Sequence, residues 1–128
     1  MDTEDAARRW AAEWERGWRE HDSDRIAALY AEGAAFRSSP FRELDEPRRY
    51  ADWAFADEDS ADCWFGEPTV SDDRATVEWW AVSRSGGKET TLAGASLLRF
   101  DETGLVVDQH DYWSELDGGR RPYPGWGR

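Results

Sequence analysis

At 128 residues the chain suits a single domain. Its 28 acidic and 16 basic side chains leave a formal charge of −12, a poor match for phosphate backbones and anionic membrane surfaces. The hydrophobic share of 39% is low, yet nine tryptophans, five phenylalanines and four tyrosines can still build a core, since each buried aromatic removes about 150–250 Å² from water.

Further classes fall away on residue counts. The lone Cys63 has no internal disulfide partner. Only His21 and His110 are present and no Cys/His set has zinc-ligand spacing, so neither a metal nor a cofactor is expected. No apolar run approaches the roughly 20 residues that span a bilayer. Residues Met1-Asp2-Thr3-Glu4-Asp5 are acidic where a signal peptide would be basic, and a cytoplasmic location is the expectation.

Residues 5–21 read as an amphipathic helix, with Ala7, Trp10, Ala11, Trp14, Trp18 and His21 at three- and four-residue steps. Asp22 or Ser23 can cap a second helix whose stripe is Ile26, Leu29 and Tyr30 and which ends at Gly33. A short strand covers 34–39. Asp45 and Pro47 then open a third helix with Tyr50, Trp53 and Ala54 on its apolar side. After residue 60 the period changes to two. Strands are predicted over 61–70, with Pro68 at an edge or bulge, and over 74–84, 88–100 and 105–113. Three helices followed by a meander make an α+β pattern, helices packed on one sheet face. The domain is taken as 1–116, and 117–128 as an irregular tail rich in Gly, Pro and Arg.

Strand alternation sorts the side chains into two faces. One collects Val77, Trp79, Leu92, Ser96, Leu98, Phe100, Leu105, Val107, Gln109, Asp111 and Trp113, and is assigned to the helices. The other carries Trp80, Val82, Leu97 and Tyr112 beside Glu78, Arg99, Asp108 and His110. Its apolar patch suits association, and a homodimer is predicted through it, unless the tail with Tyr123 and Trp126 covers it. On the first face, Asp111 points toward aromatics. A carboxylate so placed has its pKa raised, which is how an enzyme makes a general acid or base. Otherwise Asp111 lies at the rim and pairs with an arginine such as Arg37.

The stretch Leu98-Arg99-Phe100-Asp101-Glu102-Thr103-Gly104-Leu105, continuing into Asp111-Tyr112-Trp113-Ser114-Glu115, resembles the end of nuclear transport factor 2-like domains. Leu29-Tyr30-Ala31 and the strand with Phe36 fit the same superfamily. The resemblance implies a cystatin-like cone, a curved antiparallel sheet wrapped around three helices with a deep pocket between. It does not fix the chemistry. The tyrosine and two aspartates of ketosteroid isomerases align with Trp14, Ser38 or Ser39, and Ser96, so that machinery is missing. The arginine network of epoxide-hydrolase members fails because Arg99 faces away. SnoaL-like cyclases use an acid/base aspartate from the late strands, and Asp111 is its counterpart here, while His110 points the other way.

Two functions follow from this. One is a SnoaL-like isomerase, cyclase or lyase acting on a hydrophobic carbonyl compound, Asp111 moving the proton and Tyr30 or His21 polarising the oxygen. Its ligand would lie among Trp14, Trp18, Phe36, Trp53, Trp79, Ser96, Gln109 and Trp113, with Arg37 at the mouth. The other is a module that binds a hydrophobic or cationic small molecule without turnover, or a dimeric scaffold whose pocket the tryptophans fill.

Overall fold

The computed structural model describes all 128 residues. Helix α1 spans Thr3–Glu20; Asp2 caps it by accepting from the Asp5 N–H at 2.8 Å, and His21 closes it in a left-handed conformation. Helix α2, Ser23–Ala27, is capped by Asp22, and strand β1 covers Tyr30–Arg37. Helix α3, Pro47–Ala56, starts one residue later than the spacing suggested, capped by Glu46 with Pro47 in the first turn. Strands β2 (Ser60–Phe65), β3 (Thr69–Ser71), β4 (Arg74–Ser85), β5 (Lys88–Phe100) and β6 (Val106–Asp117) complete the chain.

The sheet runs β1-β6-β5-β4-β2, with β3 also on β4. All pairings are antiparallel except β1 on β6, which is parallel. The three helices lie against one face, giving the expected α+β cone with this one parallel edge. Three local differences have physical causes. Tyr30 begins β1 instead of ending a helix: Ile26, Leu29 and Tyr30 fit helical spacing, but pairing with β6 prevails, and the Val106 N–H donates to the Leu29 carbonyl at 2.9 Å. The run 61–70 splits at Gly66-Glu67-Pro68, where Pro68 has no N–H for a ladder. A register shift between Arg99 and Phe100 puts Phe100 opposite Val106 and Arg99 opposite Asp108. Such a bulge changes which residues point inward, so Val106 is buried in place of Leu105 and Val107, while Gln109 and Asp111 still point inward.

The core joins Ala6, Ala7, Trp10, Ala11 and Trp14 of α1 to Ile26, Leu29, Phe36, Ala51 and Phe55, over Ala75, Val77, Leu98, Phe100 and Val106 of the sheet. Gly17 allows α1 and α2 to approach, since a Cβ there would sit 2.9 Å from Ile26. Cys63 is a buried filler whose thiol is pushed up to about 12 by burial.

The tail lies across the outer face of the sheet. The Trp80 indole donates to the Arg120 carbonyl at 2.7 Å and meets Tyr123 and Trp126 edge-on. Glu67 N–H donates to the Gly127 carbonyl, and Thr91 exchanges hydrogen bonds with Gly118 and Arg120. This corrects half of the predicted docking patch. Trp80 is engaged by the tail and Val82 is buried, whereas Leu97 and Tyr112 stay exposed, as does Leu116 further along β6. No helix is long and apolar enough to cross a membrane.

Candidate active site

Cross-strand register sets the site. On the inner face Phe65, Trp79, Gly94 and Trp113 stand in one row across β2, β4, β5 and β6, and Val77, Ser96 and Asp111 form the next. Gly94 lies between two tryptophans and its missing side chain leaves the strands close: a Cβ there would fall 2.0 Å from the Tyr112 carbonyl oxygen. Above these rows, against α1 and α3, opens a cavity of about 330 Å³. Its size falls within the range of small-molecule sites, about 300–1,000 Å³. The tryptophans therefore line the space and do not fill it, which corrects the filled-scaffold expectation.

Asp111 is on the wall of this cavity and only 8% exposed. Its Oδ1 accepts from Ser96 Oγ at 2.6 Å and from Gln109 Nε2 at 3.0 Å. No protein donor reaches Oδ2. The Ser96 hydroxyl accepts from the Trp79 indole at 3.1 Å, and the Gln109 amide is oriented from behind by Tyr30, which donates to its Oε1 at 2.5 Å. Desolvation raises the Asp111 carboxyl to about 6, against the opposing pull of its two hydrogen-bond donors.

Tyr30 differs from its expected role. Its hydroxyl proton goes to Gln109, while its oxygen accepts from Trp10 at 3.3 Å and Trp14 at 2.9 Å. It does not line the cavity, so it holds Gln109 in place and polarises no ligand. Burial raises its phenol well above the tyrosine range. His21 also misses the cavity: it stacks on Phe55 and its Nε2 lies 2.8 Å from Glu58 Oε1. Phe36 is fully buried between Tyr30 and Tyr50. Arg37 follows it along β1 with opposite parity and bonds the Arg42 carbonyl. Arg37 therefore neither guards the mouth nor pairs with Asp111. Trp14, Trp18, Trp53, Trp79, Ser96, Gln109 and Trp113 all line the cavity as expected, Trp53 at the exposed rim.

Three groups were not foreseen. Arg42 lines the cavity, its guanidinium 4.8 Å above the Trp53 ring and no carboxylate within ion-pair distance. Tyr50, noted only as part of the apolar side of its helix, also faces the cavity. Burial, with the nearby Asp111 charge adding, pushes its phenol up to about 12, so it keeps its proton. Glu58 is a second carboxylate on the wall, in a half-buried residue whose side chain is largely shielded, accepting from Trp18 Nε1 at 3.0 Å and Ser83 Oγ at 2.5 Å. The helical periodicity already exposed Tyr50. Glu58 sits in the run Asp57-Glu58-Asp59, where nothing local sets it apart from its neighbours.

Three helices followed by a curved, mixed sheet of six strands match the α+β cone of nuclear transport factor 2-like domains. Within that superfamily the chain belongs to the SnoaL-like domain family, whose model matches residues 7–109. No curated protein matches it. Among solved structures it is similar to RV0760c from Mycobacterium tuberculosis, at 17% identity and TM-score 0.76, over 92% of this chain and 100% of the other. It is also similar to SalBIII, described as an epoxide hydrolase/cyclase-like enzyme in pyran ring formation in the polyether salinomycin, at 16% identity and TM-score 0.75, over 89% and 95%. A third is a hypothetical protein with a ketosteroid isomerase-like fold from Catenulispora acidiphila, in complex with trimethylamine, at 14% identity and TM-score 0.70, over 80% and 83%. At these identities the likeness is one of fold.

Proposed function

We propose that the chain is a small-molecule enzyme of the isomerase, cyclase or lyase kind, with Asp111 as the acid/base group toward a hydrophobic carbonyl compound. The observation that carries this is the state of one carboxylate: Oδ1 is fixed by Ser96 and Gln109, Oδ2 is without a protein donor, and the whole group is on the wall of an aromatic cavity. Raised to about 6, it is ionised at neutral pH yet more basic than a surface aspartate. In the reaction it takes a proton from the carbon beside the carbonyl. The C–H electron pair moves into the enolate, and the Tyr50 hydroxyl, which retains its proton, is the donor toward the developing oxyanion. Asp111 then returns the proton to another position or to the leaving group. Binding without turnover is the second reading. It is favoured by the retreat of Tyr30 and His21 from the cavity and by the trimethylamine held on the same fold in the Catenulispora protein.

Incubating the protein in heavy water with a panel of hydrophobic ketones, and following deuterium incorporation by mass spectrometry, tests the first reading. Asp111→Asn is expected to lose at least about a hundredfold of the exchange rate. Exchange at the wild-type rate in that variant would overturn the assignment. We also propose that a second copy docks on the outer strip of Leu97, Tyr112 and Leu116, which the tail leaves bare.

A further inference from the structure

We infer that the molecule taken up by this cavity carries a cationic nitrogen, an ammonium or quaternary amine, beside its hydrophobic body. This deepens the proposal above and rests on the Asp111 cavity being the ligand site. The ring faces and carboxylates of the wall point there, with the Tyr50 hydroxyl and the Arg42 guanidinium as its remaining donors. Every indole N–H of the five inner tryptophans is already spent on the protein: Trp10 and Trp14 on Tyr30, Trp18 on Glu58, Trp79 on Ser96, and Trp113 on the Ser38 carbonyl at 2.6 Å. The hydroxyls of Ser83 and Ser96 are likewise turned to Glu58 and Asp111. What the tryptophans offer a guest is therefore ring surface, negative in its quadrupole, and not hydrogen-bond donors.

The charges agree with the rings. Four carboxylates line the cavity, Asp57, Glu58, Asp111 and Glu115, against the single guanidinium of Arg42. Of these, Asp111 is more than nine-tenths buried and presents an unpartnered oxygen. Asp57 and Glu115 are exposed, so an anionic guest would be repelled mainly by Asp111 and the Glu58 side chain, both shielded from solvent, whereas a cation gains from them. Arg42 shows the same preference from within the chain, since its charge rests over the Trp53 ring at the mouth without a carboxylate partner. A cationic nitrogen among the inner rings would stand opposite the buried acceptor that the wall leaves open, Asp111 Oδ2, a protonated amine by hydrogen bond and a quaternary one by charge alone.

The test compares choline with 3,3-dimethylbutan-1-ol, its uncharged isostere, by isothermal titration calorimetry on the intact protein. Choline is expected to bind at least about tenfold more tightly. Glu58→Gln and Asp111→Asn, each first checked for a cooperative thermal transition, are expected to shrink that ratio. Equal or tighter binding of the alcohol, or no saturable binding of choline across the millimolar range, overturns the inference. Should either variant fail to fold, the wild-type ratio alone decides. The catalytic reading is judged separately by deuterium exchange into uncharged ketones: exchange with no preference for choline keeps it and sinks the cation, and the reverse pattern does the opposite.

Discussion

Burial lifts the Asp111 carboxyl to about 6, and the lift has a sign in stability as well as in reactivity. An unfolded aspartate titrates near 3.9. Between about 4 and 6 the folded state thus binds more protons than the unfolded one, so this group's contribution to stability falls as pH rises through that window and is flat above it. The difference is about 3 kcal/mol at most. Asp45, Asp62 and Asp101, held low by their hydrogen-bond partners, contribute in the opposite direction. The wild-type curve is therefore a sum, and the informative quantity is wild type minus Asp111→Asn. Urea unfolding at pH 4 and pH 7 is expected to show the wild type losing ground relative to that variant at the higher pH. The same titration should place the acid limb of kcat/KM near 6.

At this scale the sequence was readable where alternation alone decides: Gln109 and Asp111 face inward because a strand has period two. Arg37 fails by the same rule. With Phe36 in the core, its neighbour had to point outward, so the arginine at the mouth comes from the following loop as Arg42. Glu58 could not be chosen from among three consecutive acids, because what selects it is contact with Trp18, His21 and Ser83, all distant along the chain.

Among the elements, the β4–β5–β6 meander carries the site, and Gly94 is its tightest point. Any side chain there runs into backbone of β6, which cannot rotate away. Gly94→Ala is expected to cost at least about 3 kcal/mol by chemical denaturation, more than ordinary overpacking of a flexible core. It should also separate Trp79 from Trp113. The last strand, expected over 105–113, runs on to Asp117, whereas the long strands predicted over 74–84 and 88–100 were legible almost to the residue. Short elements were not: five residues of α2 and the start of β1 share a spacing that suits either structure, and a parallel partner some 75 residues away settles it. The bulge beside Phe100 was equally silent, since an inserted residue leaves no compositional mark.

The molecule as a whole carries −12, which keeps copies apart at low ionic strength unless an apolar contact outweighs the repulsion. With the tail in place, the apolar side chains left exposed for the proposed contact are Leu97, Tyr112 and Leu116. Sedimentation at moderate salt is expected to give a dimer that Tyr112→Arg converts to monomer; a wild-type monomer at micromolar concentration would remove the second copy from the outer strip. The cone itself was evident in the sequence, from the switch of period near residue 60 and from the likeness of the last two strands to a known superfamily. The course of the tail was not, because glycine, proline and arginine permit many paths and the indole of Trp80 selects one.

The sheet also divides the nine tryptophans by side. Six line the cavity, and Trp64, Trp80 and Trp126 lie on the outer side with the tail. The protein consequently holds two separate sets of natural chromophores, one facing whatever enters and one reporting on its own C-terminal end. Selective quenching by a small polar agent should silence the rim and outer set first, so that guest entry and tail release can be followed in one cuvette without an added dye.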